Sequence, residues 1–489
     1  MRYYRIFITG LLLSLVSLTA VAQEGLSPMG CRRGTPRPES ILRRGGAEGR
    51  KPGGNFYHGE RHQLTVLVEF NDRKFIGDES ATLTQWNKIF NTKDLSEEPF
   101  NGSVHDYFLA QSYGDFSVLF DLVFVQVSGD AKKYASTSSH DEYSQYLVQD
   151  IMEVLKDRND IEWDRYDWNG DGNINQLLIV YAGHGMNDSN DDDLIWPHQW
   201  WMSEHLKDCQ QDVYCDPIPV SYGGKEYMVD CYCALNELTN ENDYGSFGTI
   251  CHEYTHCFGF PDFYYGSTQY VYSWDLMDSG NYNGDGYIPP GYSAHERWLM
   301  GWLSPIELQE TTTVTDMPAL AEQGRAYLIH NDGYENEYYI IENRQPLGWD
   351  AGLPGSGILV FHIDYDPSVW TSTRVVPNSP SRKRYEIFHA NNMISPYRRW
   401  TYPYQDNNSL TNTSLPASTL YNDNIDGTNF MSKPITNMTV TNGLASFDFS
   451  ESPTGIISVA SGTDQLLYRF GVIDIVRDAK GNVKKMIRK

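Results

Sequence analysis

The alternation of apolar and polar positions divides the chain into two parts of different character. Between residues 56 and 305, apolar runs such as "HQLTVLVEF" and "NQLLIVYAG" predict buried strands, and segments such as "YSQYLVQDIMEVLKD", with apolar residues at i, i+3 and i+4, predict intervening helices. After Pro305, short strand-like segments such as "EYYIIENR" and "GILVFHIDYD" follow one another between turn residues. We therefore predict an α/β (α+β) domain over residues 56–305 and an all-β sandwich over residues 306–450.

The two ends of the chain differ in composition from the rest. Two arginines precede an apolar stretch and a small-residue cleavage site that ends at Ala22, which predicts a signal peptide over residues 1–22. A membrane anchor is the alternative, but the apolar run is short and no later segment has the length of a membrane span, so we expect no membrane insertion after cleavage. Residues 23–55 are predicted to be a pro-segment or linker, and residues 451–489 a C-terminal tail, a candidate sorting or surface-attachment segment.

The chain is acidic, with a formal net charge of −26 at pH 7. A nucleic-acid partner is not expected, because no overall positive field is available to neutralise phosphates. In "DWNGDGN", Asp167, Asn169, Asp171 and Asn173 place oxygen-bearing side chains at alternate positions, as in the first half of an EF-hand loop, and they are candidate calcium ligands. The twelfth position holds Leu178 rather than Glu, so a simple Asx- and Gly-rich turn is the alternative.

The stretch "CHEYTHCFGFPDFYY" carries the strongest chemical signal. His252 and His256 are four residues apart, so on a helix their imidazoles share a face and can bind one Zn²⁺. Glu253 lies beside them and is the candidate general base. Gly259 can end the helix in a left-handed conformation, which allows Asp262 to return as a third, oxygen ligand. A surface helix with two solvated histidines is the alternative.

A methionine follows this stretch at a characteristic spacing. Met277, in "SWDLMDSG", comes fifteen residues after Asp262 and is the candidate for a methionine turn beneath the metal, as in the metzincins. "HEYTHCFGFPDFY" and "WDLMDSG" together resemble the immune inhibitor A family of secreted bacterial metalloproteases. The resemblance extends over roughly residues 60–370 and includes "SVHDYFLAQSYGDFSV", "DWNGDGNINQLLIVYAGHG", "IWPHQW" and "SAHERWLMGWL".

This resemblance implies a zincin or metzincin-like catalytic domain followed by a β-sandwich, in a zinc endopeptidase secreted by, or held on the surface of, a bacterium. It implies protein or peptide substrates, the base Glu253, the zinc ligands His252 and His256, the candidate ligand Asp262, and Met277 in the methionine turn. A zinc hydrolase of non-peptide amides and a non-catalytic secreted adhesin or glycan-binding protein are the alternatives. A second group that stabilises the oxyanion is also expected. Its candidates are Tyr264, Tyr265, Tyr282 and His295.

Seven cysteines are present, and export favours disulfide bonds. Six lie between residues 209 and 257, and the arrangement that we predict ties the 209–233 region to the 251–257 helix. Cys31 is left over, in a basic segment attached to an acidic body. It is a candidate latency thiol that would occupy the open position of the metal. A spare thiol and a bridge to another chain are the alternatives.

Overall fold

The computed structural model describes residues 57–135, 143–189, 191, 193–208, 213–239, 244–245, 247–370, 375–393 and 400–451, together with three strands between residues 464 and 488. The predicted signal peptide, the predicted pro-segment or linker, and the candidate latency thiol Cys31 lie outside the described residues.

The N-terminal region, residues 57–303, is built on a five-stranded sheet. Its strands and those of two smaller sheets are β1 (Gly59–Glu69), β2 (Phe116–Gln126), β3 (Asn173–Ile174), β4 (Leu177–His184), β5 (His198–Trp201), β6 (Leu206–Asp208), β7 (Val213–Tyr214), β8 (Ile218–Tyr222), β9 (Lys225–Val229) and β10 (Cys231–Leu238). The order in the main sheet is β2-β1-β4-β10-β5. All neighbours are parallel except β10 and β5, which are antiparallel.

Helices cover both faces of this sheet. They are α1 (Glu79–Asn91), α2 (Val104–Gln111), α3 (Ser144–Leu155), α4 (Met186–Ser189), α5 (Phe247–Cys257) and α6 (Ala294–Leu299). The apolar face of α3 packs with alternate residues of β1 on one side, and α1, α2 and α5 share a second core on the other. The predicted alternation of strands and helices is confirmed as a mixed α/β region, and α5 is central to its second core.

The C-terminal region, residues 306–449, is mainly β-structure. Its strands are β11 (Ile306–Glu307), β12 (Thr312–Met317), β13 (Tyr327–Asn331), β14 (Tyr334–Arg344), β15 (Gly357–Asp364), β16 (Asn378–Ser379), β17 (Arg382–Lys383), β18 (Tyr385–Ile387), β19 (Ile435–Thr441) and β20 (Leu444–Phe449). Two short helices, α7 (Leu320–Gln323) and α8 (Pro367–Trp370), connect them. The larger sheet has the order β11-β13-β14-β15-β18, and a three-stranded sheet has the order β12-β20-β19.

The larger C-terminal sheet is covered on both faces. On one face, Tyr339 and Ile341 of β14 share a core with the three-stranded sheet. On the other face, the alternate residues Tyr338 and Ile340 join the same core as α2 and α5 of the N-terminal region. One hydrophobic core contains residues from both sides of position 305. The type of secondary structure therefore changes at the predicted boundary, but the packing is continuous across it.

The end of the chain contributes a separate antiparallel sheet of three strands, β21 (Asp464–Arg469), β22 (Ile473–Asp478) and β23 (Val483–Arg488). These strands lie in the predicted C-terminal tail, whose role stays a prediction. Among the described residues, no helix combines the length and the apolar character that a membrane span requires.

Candidate metal centre and cleft

Helix α5 positions three of the candidate site residues. Its apolar side chains, among them Phe247, Ile250 and Tyr254, are fully or almost fully buried in the core, and this packing fixes the helix on the sheet. The helix ends where the sequence predicts. Gly259 has a φ of 95°, in the left-handed region that favours glycine, and its N–H donates to the carbonyl of His256 at 2.8 Å. The chain therefore turns back toward the helix just before Asp262.

His252, His256 and Asp262 lie together. Oδ1 of Asp262 is 3.2 Å from Nε2 of His252 and 3.3 Å from Nε2 of His256. Two atoms that are each about 2.0–2.1 Å from a tetrahedral zinc ion lie roughly 3.3–3.4 Å apart. The three side chains offer ligand atoms that all lie within 4.8 Å of one another, so they could hold one metal ion.

Backbone carbonyls orient both imidazoles. Nδ1 of His252 donates to the carbonyl of Leu276 at 2.8 Å, and Nδ1 of His256 donates to the carbonyl of Phe260 at 2.7 Å. With the proton on Nδ1, the lone pair of each neutral ring is on Nε2, the atom that faces Asp262. The two rings are therefore held in the tautomer that a metal ligand requires.

The charges of these groups reinforce one another. Burial lowers the pKa of His252, but the neighbouring carboxylates of Asp262 and Glu253 together outweigh it, and the pKa is raised above its ordinary value. Burial raises the pKa of Asp262, but His256 and His252 outweigh it, and that pKa lies well below its usual range. Asp262 is thus a carboxylate at neutral pH, the form that can bind a cation.

The candidate methionine turn lies against this group. Met277 is completely buried, and its carbonyl accepts the N–H of Phe263 at 2.8 Å. The carbonyl of the preceding residue, Leu276, holds His252. The turn is therefore tied both to the first histidine and to the residue that follows Asp262.

Glu253 is in a cleft of about 190 Å³ that also exposes His252. It is 9% exposed, and its Oε2 lies 4.0 Å from Nε2 of His256. The walls of the cleft include Trp196, Tyr264 and Tyr282. A buried carboxylate thus stands beside the three candidate ligands and opens toward a space that can admit a substrate.

The known proteins that resemble this chain agree on one family. Residues 58–300 match the family described as the immune inhibitor A peptidase M6, catalytic domain. Immune inhibitor A of Bacillus thuringiensis subsp. alesti is 27% identical over 314 residues, which are 54% of this chain and 44% of that protein. The pre-pro-metalloprotease PrtV of two Vibrio cholerae serotype O1 strains is 28% identical over 276 residues, which are 47% of this chain and 28% of that protein.

Residues 58–300 belong to the immune inhibitor A family. The resemblance predicted from the sequence is confirmed. The chain spans less than half the length of each of these curated relatives.

The four candidates for oxyanion stabilisation differ in their position relative to the cleft. Tyr264 and Tyr282 line the cleft; the hydroxyl of Tyr264 hydrogen-bonds Asp262, and the side chain of Tyr282 is exposed at the rim. His295 is completely buried against Tyr338 and other aromatic rings, away from the cleft lining, so it is excluded as a candidate. Tyr265 is not among the residues that line the cleft, although its neighbours Tyr264 and Gly266 are.

The candidate calcium loop is closed by its own hydrogen bonds. The two carboxylate oxygens of Asp167 accept the N–H groups of Asp171 and Gly172 at 3.1 and 3.0 Å. Asp171 accepts the N–H of Asn173 at 2.8 Å and the side-chain amide of Asn169 at 3.2 Å. This is the pattern of the Asx turn that was the alternative, and calcium binding stays a prediction.

The described cysteines form contacts but no disulfide. Cys215, Cys231, Cys233, Cys251 and Cys257 are all buried as free thiols. The region and the helix that we expected to be linked do meet, because the thiol of Cys257 on α5 hydrogen-bonds Cys231 and Cys233 on β10. The predicted covalent link is absent among them. Burial raises the pKa of each of these three thiols, which favours the protonated form.

The groups that support the candidate metal ligands were not predicted from the sequence. The carbonyls of Phe260 and Leu276 carry no side-chain signal, since any residue could supply them. Thr249 also lines the cleft, and here a signal existed: it lies three residues before His252, on the same face of a helix. Asn281, which lines the cleft from the segment after Met277, had no such signal.

Proposed function

We propose that this protein is an exported zinc metalloendopeptidase. The observation that carries the proposal is the approach of one oxygen of Asp262 to the Nε2 atoms of His252 and His256, with Glu253 beside them in an open cleft. Two imidazoles, one carboxylate and an open fourth position are the donor set of a catalytic zinc site. Membership of a peptidase family supports peptide bonds as the substrate.

The proposed ligands fit zinc better than they fit calcium or magnesium. Two imidazole nitrogens and one carboxylate oxygen suit a borderline-soft cation in tetrahedral geometry, whereas calcium takes six to eight oxygen atoms. His252, His256 and Asp262 would hold the ion. When bound, zinc acidifies a water ligand and polarises the scissile carbonyl.

Glu253 is the general base and then the general acid in this proposal. Its carboxylate accepts a proton from the water that attacks the scissile carbonyl and then delivers that proton to the nitrogen of the leaving amine. Its burial beside the ligands keeps it within reach of both groups. Tyr282, at the rim of the cleft, is the proposed second donor to the oxyanion, because the hydroxyl of Tyr264 is engaged by Asp262.

Several finer features are also part of the proposal. We infer that residues 306–450 form a β-sandwich, supported by the core that the two C-terminal sheets share. Secretion is supported by the predicted signal peptide and by the secreted-protease resemblance of the sequence. Latency through Cys31 and calcium binding at Asp167–Asn173 rest on the sequence alone.

One assay separates the proposed function from its alternatives. Purified protein is incubated with casein or gelatin, then with a zinc chelator, and then with zinc added back. We expect cleavage that the chelator abolishes and zinc restores. A zinc hydrolase of non-peptide amides would bind zinc but leave both proteins intact, and an adhesin or glycan-binding protein would be indifferent to the chelator. Either result contradicts the proposal.

A further inference from the structure

Two buried polar side chains line the cleft without a role in the chemistry described above. Thr249 lies one helical turn before Glu253 on α5, and Asn281 lies in the short turn Gly280–Tyr282 that follows Met277. Thr249 is 7% exposed and Asn281 is 5% exposed. Within the described part of the chain, neither the hydroxyl oxygen of Thr249 nor the side-chain oxygen of Asn281 has a hydrogen-bond partner.

Close backbone packing places these two residues near each other. The N–H of Gly248 donates to the carbonyl of Gly286 at 2.7 Å, which joins the start of α5 to the loop after Asn281. A methyl group added to Gly248 would lie 1.9 Å from the carbonyl oxygen of Asn281, so only glycine allows this approach. The packing therefore fixes one wall of the cleft, with Thr249 and Asn281 as its polar groups.

A polar atom that is buried without a partner is destabilising, because it has lost its hydrogen bonds to water. Where such atoms line a cleft, a ligand that supplies the missing partners recovers this free energy on binding. We propose that Thr249 and Asn281 form a subsite that hydrogen-bonds a neutral polar side chain next to the scissile bond of a peptide substrate. This inference rests on the proposed peptidase function and specifies its substrate class.

The chemistry of the two groups selects the occupant. A threonine hydroxyl both donates and accepts, and an asparagine side chain offers an acceptor oxygen and a donor nitrogen. A carboxamide or a hydroxyl side chain matches this set, whereas an aliphatic side chain leaves both groups unpaired. Asp278 also lines the cleft, but its Oδ2 already accepts three backbone N–H groups at 2.8, 2.8 and 2.9 Å. The subsite is therefore assigned to the two neutral side chains, and a preference for basic residues would instead indicate Asp278.

The test is a cleavage profile over a peptide library in which the residues on both sides of the scissile bond vary. The wild type is compared with Thr249→Val, which removes the hydroxyl with little change of shape, and with Asn281→Leu. Thr312→Val, on exposed β12, is the matched control. All four proteins are compared at equal zinc content and after a thermal unfolding check. Peptide binding to Glu253→Gln, with and without Thr249→Val, gives a second readout that does not depend on turnover.

We expect the wild type to prefer Asn, Gln, Ser or Thr over Leu and Val, about ten-fold or more, at one position beside the scissile bond. Both cleft variants should lose this preference through a fall in kcat/KM on the polar peptides, and the control should keep it. An equal loss of activity on every peptide would mean that Thr249 and Asn281 bind the substrate backbone, and it would overturn the inference. A wild-type preference for basic or aliphatic residues would also overturn it. A zinc-loaded wild type that cleaves no peptide but still binds polar ones through Thr249 would contradict the proposed function and not the subsite.

Discussion

The phenolic hydroxyl of Tyr385, on β18, lies 2.9 Å from Oδ2 of Asp275 and 2.8 Å from Oγ of Ser293. Asp275 uses its other carboxylate oxygen to accept the N–H of Met277 at 2.8 Å. A residue of the C-terminal region is therefore linked, through one buried carboxylate, to the turn whose Leu276 carbonyl orients His252. The C-terminal region thus supports the candidate metal centre as well as the shared core.

Replacing Tyr385 with Phe tests this support. The change leaves the carboxylate of Asp275 buried with one donor fewer, so we expect the free energy of unfolding to fall by about 1–3 kcal/mol. Urea denaturation measures this. Tyr402→Phe is the matched control, because Tyr402 is also fully buried but its hydroxyl has no hydrogen-bond partner among the described residues. Equal effects of the two substitutions would show that the Tyr385–Asp275 bond does not stabilise the fold.

His362, on β15, gives the fold a pH-dependent stability. Burial lowers the pKa of His362, but the hydrogen bond to Glu337 at 2.7 Å and the carboxylate of Glu386, 3.5 Å from Nδ1, raise it to about 9. Because this exceeds the unfolded value of about 6.5, the stabilisation is complete below pH 6.5 and is lost as the pH rises through about 9.

The pH dependence is measured by urea denaturation of the wild type and of His362→Gln. We expect the free energy of unfolding of the wild type to fall by about 3 kcal/mol across this range, since each pKa unit corresponds to about 1.4 kcal/mol. The variant should lack this part of the slope, because glutamine does not titrate. An unchanged slope in the variant would mean that His362 is not the titrating group.

Asp262→Ala tests the third ligand. Removal of one of three protein ligands should weaken zinc binding by at least ten-fold, whereas Asp262→His should retain most of the affinity, because imidazole is also a zinc ligand. Competition with a fluorescent chelator measures both. Glu310→Ala, an exposed carboxylate, is the control for the loss of charge. If Asp262→Ala binds zinc as tightly as the wild type, the third ligand lies elsewhere.

Tyr282→Phe tests the second donor to the oxyanion. We expect kcat to fall by about 10–1,000-fold with zinc affinity unchanged, because the hydroxyl acts only on charge that develops in the transition state. Tyr264→Phe, in the same cleft, should instead act on zinc affinity through Asp262. A normal kcat for Tyr282→Phe would remove Tyr282 from the mechanism.

Much of the candidate centre could be predicted from the sequence because its determinants are local. The spacing of His252 and His256, the glycine at position 259 and the return of the chain to Asp262 all follow from helix geometry within eleven residues. Hydrophobic periodicity also predicted elements that the structure contains, among them β1, β4 and α3.

The rest depends on contacts between residues that are distant in sequence. Tyr385 meets Asp275 across 110 residues, and no local pattern connects them. The core that the N-terminal and C-terminal regions share could have been predicted from the sequence. In "EYYIIENR" and "GILVFHIDYD" the apolar residues are continuous rather than alternating, which is typical of a strand buried on both faces. A strand with one face in water would instead alternate apolar and polar residues. The continuous apolar runs therefore indicate a sheet that also packs against the N-terminal region.

In the proposed mechanism Glu253 transfers the proton but is not one of the three zinc ligands. The most direct measurement determines zinc stoichiometry and casein hydrolysis on the same preparation of Glu253→Gln. We expect one zinc per chain, as in the wild type, and a loss of activity by several orders of magnitude, because the amide cannot accept a proton. Near-normal hydrolysis at full zinc occupancy would contradict it.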